Sequence, residues 1–273
     1  MLRLETETGW WLVTHPDHAR LAGAFVEAWG NERFLPPEPR NNVLLGIRCH
    51  DDGWAARDSV PQVTREGKPS AFSTELVGKY SAFEEIDLKD YLAVRERAVR
   101  LMAQTDAYAG LLVSMHTCNL LTERADRTTI RPDQLPMLDN FLVAQADYQH
   151  VLLGRVRSGS GFSPAEISDL RIRDHFRLLQ ATNNLSLLSC VGYAQPATLL
   201  HPLPLRDGSY TQVCVEPLGG RQFRLDPYPF AETSRTFQFP ARHVEGKTFA
   251  GSAELQERFA AAPETQLTAT VCA

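Results

Sequence analysis

Apolar positions recur every three to four residues through most of the first 190 residues and give way to alternation after Gly192. Residues 10–15, WWLVTH, predict a short strand. Leu21, Phe25, Ala28 and Trp29 then fall at helical spacing and predict a helix from about Asp17 to Trp29, with Gly30 as its C-cap. Beyond a proline-rich connection at 31–41, Val43 to Cys49 read as a second helix, apolar on most sides and therefore buried. Residues 59–83, punctuated by Pro61, Gly67, Pro69 and Gly78, predict a long loop. Leu88, Tyr91, Leu92, Val94, Ala98, Val99 and Met102 predict a helix capped by Asp87 and running to about Gln104. Asp106 caps the next, Tyr108 to about Thr122, whose centre is almost wholly apolar. A longer amphipathic helix is expected at 133–157 and a turn at 158–161. Ser163-Pro164-Ala165-Glu166 has capping-box spacing and predicts the start of a helix reaching about Cys190.

After Gly192 strand signals take over. Thr211–Val215 and Gln222–Leu225 flank Gly219-Gly220 as a hairpin, Arg235–Phe239 alternates, 253–260 is a short helix, and Leu267–Val271 is a last strand. The expected fold class is therefore α+β, mainly α. A helical domain over residues 1–192 is followed by a small antiparallel β region over 193–273.

Composition narrows the function classes. The chain has 273 residues, 43% hydrophobic and 22% charged, an ordinary globular mix. Lys and Arg number 28 against 33 Asp and Glu, a formal charge of -5, so the global basic excess of most nucleic-acid binders is missing and no nucleic-acid partner is expected. No apolar run is long enough to span a membrane, and the first residues are polar and acidic. Five scattered cysteines with no C-x-x-C pair fit free thiols in the cytoplasm.

The candidate chemistry is a set of histidines and carboxylates. His18 lies in the first turn of the first helix, His50-Asp51 closes the buried second helix, and His116 sits within another apolar helix. A buried imidazole needs partners for its ring nitrogens. Each histidine taken singly reads most simply as a satisfied core residue. Three on separate core helices would converge on one metal ion, and imidazole with carboxylate suits zinc, iron or manganese. Gly-rich phosphate loops, the G-x-S-x-G elbow and the H-E-x-x-H motif are missing, and the run Arg95 to Arg100 reads as a solvated helix face.

The stretch LLGIRCHDDGW at 44–54 resembles the central motif of HD-domain metal-dependent phosphohydrolases, and DHARLAG at 17–23 is similar to their first-histidine helix. Taken together, DHARLAGAFVEAWG, CHDDGWAARDSVP with GKPSAF, and LLVSMHTC resemble domain-of-unknown-function family 3891, an uncharacterised bacterial family, over roughly residues 10–192. The resemblance implies an HD-like helical core in which His18, His50 and Asp51 are metal ligands and His116 a later histidine. The fourth ligand, an Asp in the HD pattern, falls on Asn183 here, with Asn184 the other registration, and an amide oxygen binds a cation more weakly than a carboxylate. Asp174, His175 and His150 are the spare candidates, each more simply read as a surface or core residue.

It also implies a metal-dependent hydrolase with a small-molecule substrate such as a phosphate ester, one or two divalent ions (Zn, Mn, Ni or Fe), and a metal-activated water. Asp52 would then be the general base or else a helix cap. Asp58 and Lys68 are further catalytic candidates; Lys68 would meet an anionic group or else be a solvated loop lysine. Trp54 would wall the pocket or simply be buried. A di-iron oxygenase of the HD type and a degenerate ligand-binding protein are the rival readings, and a homodimer is left open.

Overall fold

The computed structural model describes residues 1–273 except 80, 82, 84–86 and 160. The predicted loop at 59–83 and turn at 158–161 therefore lie partly outside the described residues. The chain opens with a hairpin, β1 (Leu2–Glu5) and β2 (Gly9–Val13). Helix α1 (His15–Ala28) follows at once. Thr14 caps it by accepting from the Asp17 amide, and Pro16 sits in the first turn, where no intrahelical donor is lost. Helix α2 (Arg40–Arg48) passes through Cys49 into a tight 3₁₀ turn at Asp52–Trp54 and the single turn α3 (Ala55–Asp58). Helices α4 (Leu88–Thr105) and α5 (Ala107–Thr122) are capped by Asp87 and Asp106, as expected. The long α6 (Leu135–Ser158) and α7 (Asp169–Val191) complete the helical layer, and Gly192 closes α7 in the left-handed conformation.

The Ser163–Glu166 capping box forms its hydrogen bonds but encloses only a turn. The helix itself begins after Ser168, whose hydroxyl accepts from the Arg171 amide.

The remaining strands are β3 (Ala197–Thr198), β4 (Leu203–Pro204), β5 (Tyr210–Thr211), β6 (Cys214–Gly219), β7 (Gln222–Asp226), β8 (Ser234–Glu245) and β9 (Glu264–Cys272), with α8 (Ser252–Ala261) between the last two. Seven strands form one sheet in the order β1-β2-β8-β9-β7-β6-β3. The expectation of a mainly helical, HD-like chain with a small antiparallel β region is overturned. About 48% of the chain is helical and 21% is strand, and the sheet is large and mixed, since β7 pairs with β9 in parallel. The reason is non-local pairing. The N-terminal hairpin joins the sheet through β2 and β8, from Gly9 opposite Glu245 to Leu12 opposite Arg242. Gly9 permits this approach, because a Cβ there would lie 2.1 Å from the Val244 carbonyl oxygen. Predicted loop 59–83 is docked as well, with the Phe72 backbone bonded to Met1 and Arg3 along β1.

Helices and sheet share one core. Phe25 of α1 meets Phe237 of β8 edge to face with ring centroids 4.7 Å apart, and Leu179, Leu185 and Leu188 of α7 belong to the same apolar cluster as Leu2 and Val13. The inward residues of α1, the connection after α2 and the middle of α7 thereby meet, with His18 reaching Ser186 and Asp51, and His50 reaching Asn183.

Candidate metal centre

His18 lies on the inner face of α1, between Leu21 and the Thr14 cap, and is 1% exposed. His50 and Asp51 follow the C-cap of α2 in the connection to the 3₁₀ turn, and both are buried. Two close approaches hold this connection against α4 and α5. A Cβ on Gly53 would lie 2.5 Å from the Val94 carbonyl oxygen, and one on Gly46 would lie 3.1 Å from Ala109 Cα. These three side chains place ligand-type atoms within 4.8 Å of one another, the one such His/Cys/Asp/Glu group among the described residues.

The hydrogen bonds around the cluster orient its rings. His50 Nδ1 lies 2.7 Å from the Ile47 carbonyl oxygen, which can only accept, so Nδ1 carries a proton and Nε2 is turned toward the cluster. His18 Nδ1 lies 3.0 Å from Ser186 Oγ, while the Ser186 hydroxyl donates its single proton to the Asn183 carbonyl oxygen at 2.8 Å. With that proton on the Asn183 carbonyl, Ser186 accepts from His18 Nδ1 and His18 Nε2 carries a lone pair; with it turned onto His18 Nδ1, Nε2 bears the proton and donates to Asp51. Both Nε2 atoms face the same carboxylate oxygen, Asp51 Oδ2, at 3.1 Å from His18 and 3.7 Å from His50. Asn183 Oδ1 is 3.1 Å from His50 Nε2.

Electrostatics keeps these groups in ligand form. Burial lowers the His18 pKa to about 4 against the opposing pull of Asp51, and lowers that of His116 well below its ordinary value, so both rings are neutral at pH 7. Burial alone would raise the Asp51 carboxyl, but Arg95, His50 and His18 outweigh it and hold the group well below the usual carboxylate range. Arg95 is the main counter-charge. It is 6% exposed, donates from Nη1 to Asp51 Oδ1 at 2.5 Å and from Nε to the Tyr91 hydroxyl at 3.1 Å, and lies over the rings of Trp54 and Tyr91.

The other predicted site residues are distributed differently. His116 packs against His50, ring centroids 4.9 Å apart, with its Nδ1 facing the Gln180 amide at 2.9 Å, and lies outside the close-set group of ligand atoms. Asp52 points to the surface and pairs with Arg20 at 2.6 Å. Asp58 is buried beside the cluster, 3.1 Å from His15 Nδ1 and 3.0 Å from the Met1 amino group, which overcome the effect of burial and lower its pKa. Lys68 pairs with Glu66 at 3.0 Å on the wall of a cleft. Asp174 accepts from the Tyr210 hydroxyl, His175 bonds to the Tyr108 hydroxyl, and His150 is exposed on α6. None of these last three reaches the cluster.

Sequence reasoning missed Arg95, Ser186 and His15. Arg95 carried a usable signal, since it occupies the helical stripe of Leu88, Tyr91, Leu92, Ala98, Val99 and Met102, where a solvated arginine does not belong. It is a correction to the reading of Arg95 to Arg100 as a solvated face. His15 stacks on Trp54 with centroids 4.4 Å apart. His15, Trp54, Asp58, Tyr91 and Arg95 line one side of a cleft of about 570 Å³ that opens beside the cluster.

Fold and site together define a two-layer helix-and-sheet protein with a buried His-His-Asp cluster beside an open cleft. The family model described as "Protein of unknown function (DUF3891)" matches residues 1–246, and the chain belongs to that family. No curated protein and no solved structure matches it. Among the described residues no helix is long and apolar enough to cross a membrane.

Proposed function

We propose that the protein is a metal-dependent hydrolase of a small molecule, with phosphate esters the first substrate class to test. One observation carries the reading: two imidazoles turn their Nε2 atoms onto a single ionised carboxylate oxygen, while Ile47 and Ser186 engage the two Nδ1 atoms. With a proton on each Nδ1, two lone pairs face a buried carboxylate, which is unfavourable unless a cation lies between them. Asn183 could turn its amide to donate to His50, but Asp51 has no such freedom. Ser186 and Ile47 orient the rings as outer-shell partners of metal-bound histidines do, and Arg95 does the same for the carboxylate. Two imidazole nitrogens, a carboxylate oxygen and an amide oxygen suit zinc, manganese, nickel or ferrous iron.

A divalent ion bound there supplies hydroxide near neutral pH by lowering the pKa of a water it holds. Around it, His18, His50 and Asp51 fix the position of attack, Arg95 keeps Asp51 ionised, and the cleft admits the substrate. The ligand order, a first histidine on one helix and a His-Asp pair closing the next, is that of the HD-type motif the sequence resembles, carried here on a helix-and-sheet architecture. One group of ligand-type side chains among the described residues, which does not include His116, favours a single ion over the two irons of an oxygenase.

Elemental analysis by plasma mass spectrometry, on protein purified without added metal and again after incubation with zinc, manganese, nickel and ferrous iron, tests this reading. About one equivalent is expected, lost in His50→Ala and His18→Ala and kept in His150→Ala. Failure to take up any of these ions, or unchanged content in His50→Ala, refutes it.

A further inference from the structure

Three hydrogen-bond donors among the cleft-lining side chains have no acceptor among the described residues, and one of them is buried. Trp54 is 4% exposed and lines the cleft, yet its indole Nε1–H is buried without a partner. Arg95 commits Nη1 to Asp51 and Nε to Tyr91, and no described residue accepts from its Nη2. The Tyr91 hydroxyl accepts from Arg95, which leaves its own proton to donate; no described residue takes it. These side chains are in mutual contact: the Arg95 guanidinium carbon is 5.2 Å from both the Trp54 and Tyr91 ring centroids, and the two rings are 5.5 Å apart. Desolvating a donor without an acceptor costs about 1–3 kcal/mol, so the buried Trp54 N–H needs an explanation, and the two uncommitted donors beside it point to one.

The surrounding charge has a sign. Of the acidic residues in the cleft, Asp58 is engaged by His15, Glu66 by Lys68 and Glu75 by Ser73. Arg57 and Lys79 line the same cleft with no carboxylate among the described residues within ion-pair distance. The space, about 570 Å³, exceeds what a lone small anion fills, and Phe72 and Phe83 line it along with Trp54 and Tyr91.

We propose that Arg95 Nη2, Tyr91 Oη and Trp54 Nε1 form an oxyanion subsite that binds the anionic head of the substrate while the aromatic residues of the cleft hold an apolar or planar body. The head is a phosphate or a carboxylate, since both offer oxygens to a fork of N–H and O–H donors. Arg95 touches Asp51 with one nitrogen and the bound head with another, which places that head next to the metal cluster. As a substrate subsite the assignment rests on the proposed function; oxyanion binding itself does not.

Isothermal titration of chelator-treated protein with inorganic phosphate, phenyl phosphate and phenylacetate separates the two. Binding of phenyl phosphate or phenylacetate is expected, weakened roughly tenfold or more in both Tyr91→Phe and Trp54→Phe, each of which keeps a ring and removes one donor. Phenyl phosphate binding more tightly than phenylacetate, and more tightly than inorganic phosphate, assigns a phosphate head on an aromatic body; the reverse preference assigns a carboxylate. Thermal melts and metal loading of both variants report whether the fold is kept. No binding by the wild type, or equal binding in two folded variants, overturns the subsite whether or not metal loads. Oxyanion binding that both variants weaken, in a protein that takes up no metal, supports the subsite and refutes the hydrolase.

Discussion

Replacing Arg95 by Met removes the counter-charge of a buried carboxylate while nearly conserving side-chain volume. Arg95 and Asp51 have side chains 7% and 5% exposed, so solvent screening does little for either. Breaking such a pair from one side costs about 3–5 kcal/mol, because the remaining charge is buried and uncompensated. Loss of the arrangement over Trp54 and Tyr91 adds about 0.5–2 kcal/mol. Against a typical total stability of roughly 5–15 kcal/mol this is a large fraction. For a chain of this size, each kcal/mol shifts the melting temperature by about 2–4 °C, so the pair alone corresponds to a fall of roughly 6–20 °C.

The loss has a pH signature. Without Arg95 burial dominates and the Asp51 carboxyl rises, so the variant's deficit is full at neutral pH and shrinks on acidification as Asp51 takes up its proton. Urea unfolding of chelator-treated wild type, Arg95→Met, Asp51→Asn and the double variant measures it. The double variant should be more stable than Arg95→Met, since it leaves no buried charge alone. A loss in Arg95→Met below about 1 kcal/mol, the size of an exposed ion pair, would refute the reasoning and return Arg95 to a solvated helix face.

Other perturbations probe separate links. Ser186→Ala frees the His18 tautomer and should weaken metal binding about 10–100-fold with only a small change in melting temperature, read by metal competition with a chromophoric chelator. Asn183→Asp, which adds a carboxylate to the donor set, should tighten it in the same assay. Gly53→Ala forces a Cβ onto the Val94 carbonyl oxygen and should cost about 1–3 kcal/mol in urea unfolding, with metal loading reduced because the His50-Asp51 turn shifts. His18 and His175 have folded pKa values lowered to about 4, and His116 is lowered as well, so the unfolded chain binds more protons below pH 6.5. Stability of the metal-free protein should therefore be fully present above pH 6.5 and fall between pH 6.5 and 4, by about 1.4 kcal/mol per pH unit for each such histidine. His175→Gln should reduce that slope by about one proton.

The elements were legible where local chemistry sets them. Asp87 and Asp106 cap α4 and α5, the apolar centre of α5 gives a core helix, and Gly192 ends α7. His18, His50 and Asp51 were legible as a group because imidazole and carboxylate on apolar helices cannot stay buried without partners. What the sequence hid is what depends on residues far apart in the chain. Ser163–Glu166 has the signature of a helix start, and its hydrogen bonds form, but the cap of α7 is Ser168 and the helix begins at Asp169. Arg95 looked like one charge in a charged run, although its place in the apolar stripe pointed inward.

By itself, then, the sequence determined most of the helices, the Asp caps of α4 and α5, and the buried set His18, His50 and Asp51, because each follows from spacing and burial within one segment. Only the tertiary structure decided that the N-terminal hairpin completes a seven-stranded mixed sheet, that His116 lies outside the close-set ligand group while Asn183 reaches it, and that the Nε2 atoms of two histidines face one oxygen of Asp51. Strand partners are chosen by pairing across hundreds of residues, and a tautomer by the one acceptor that folding places against a ring; neither is written into the spacing of a chain.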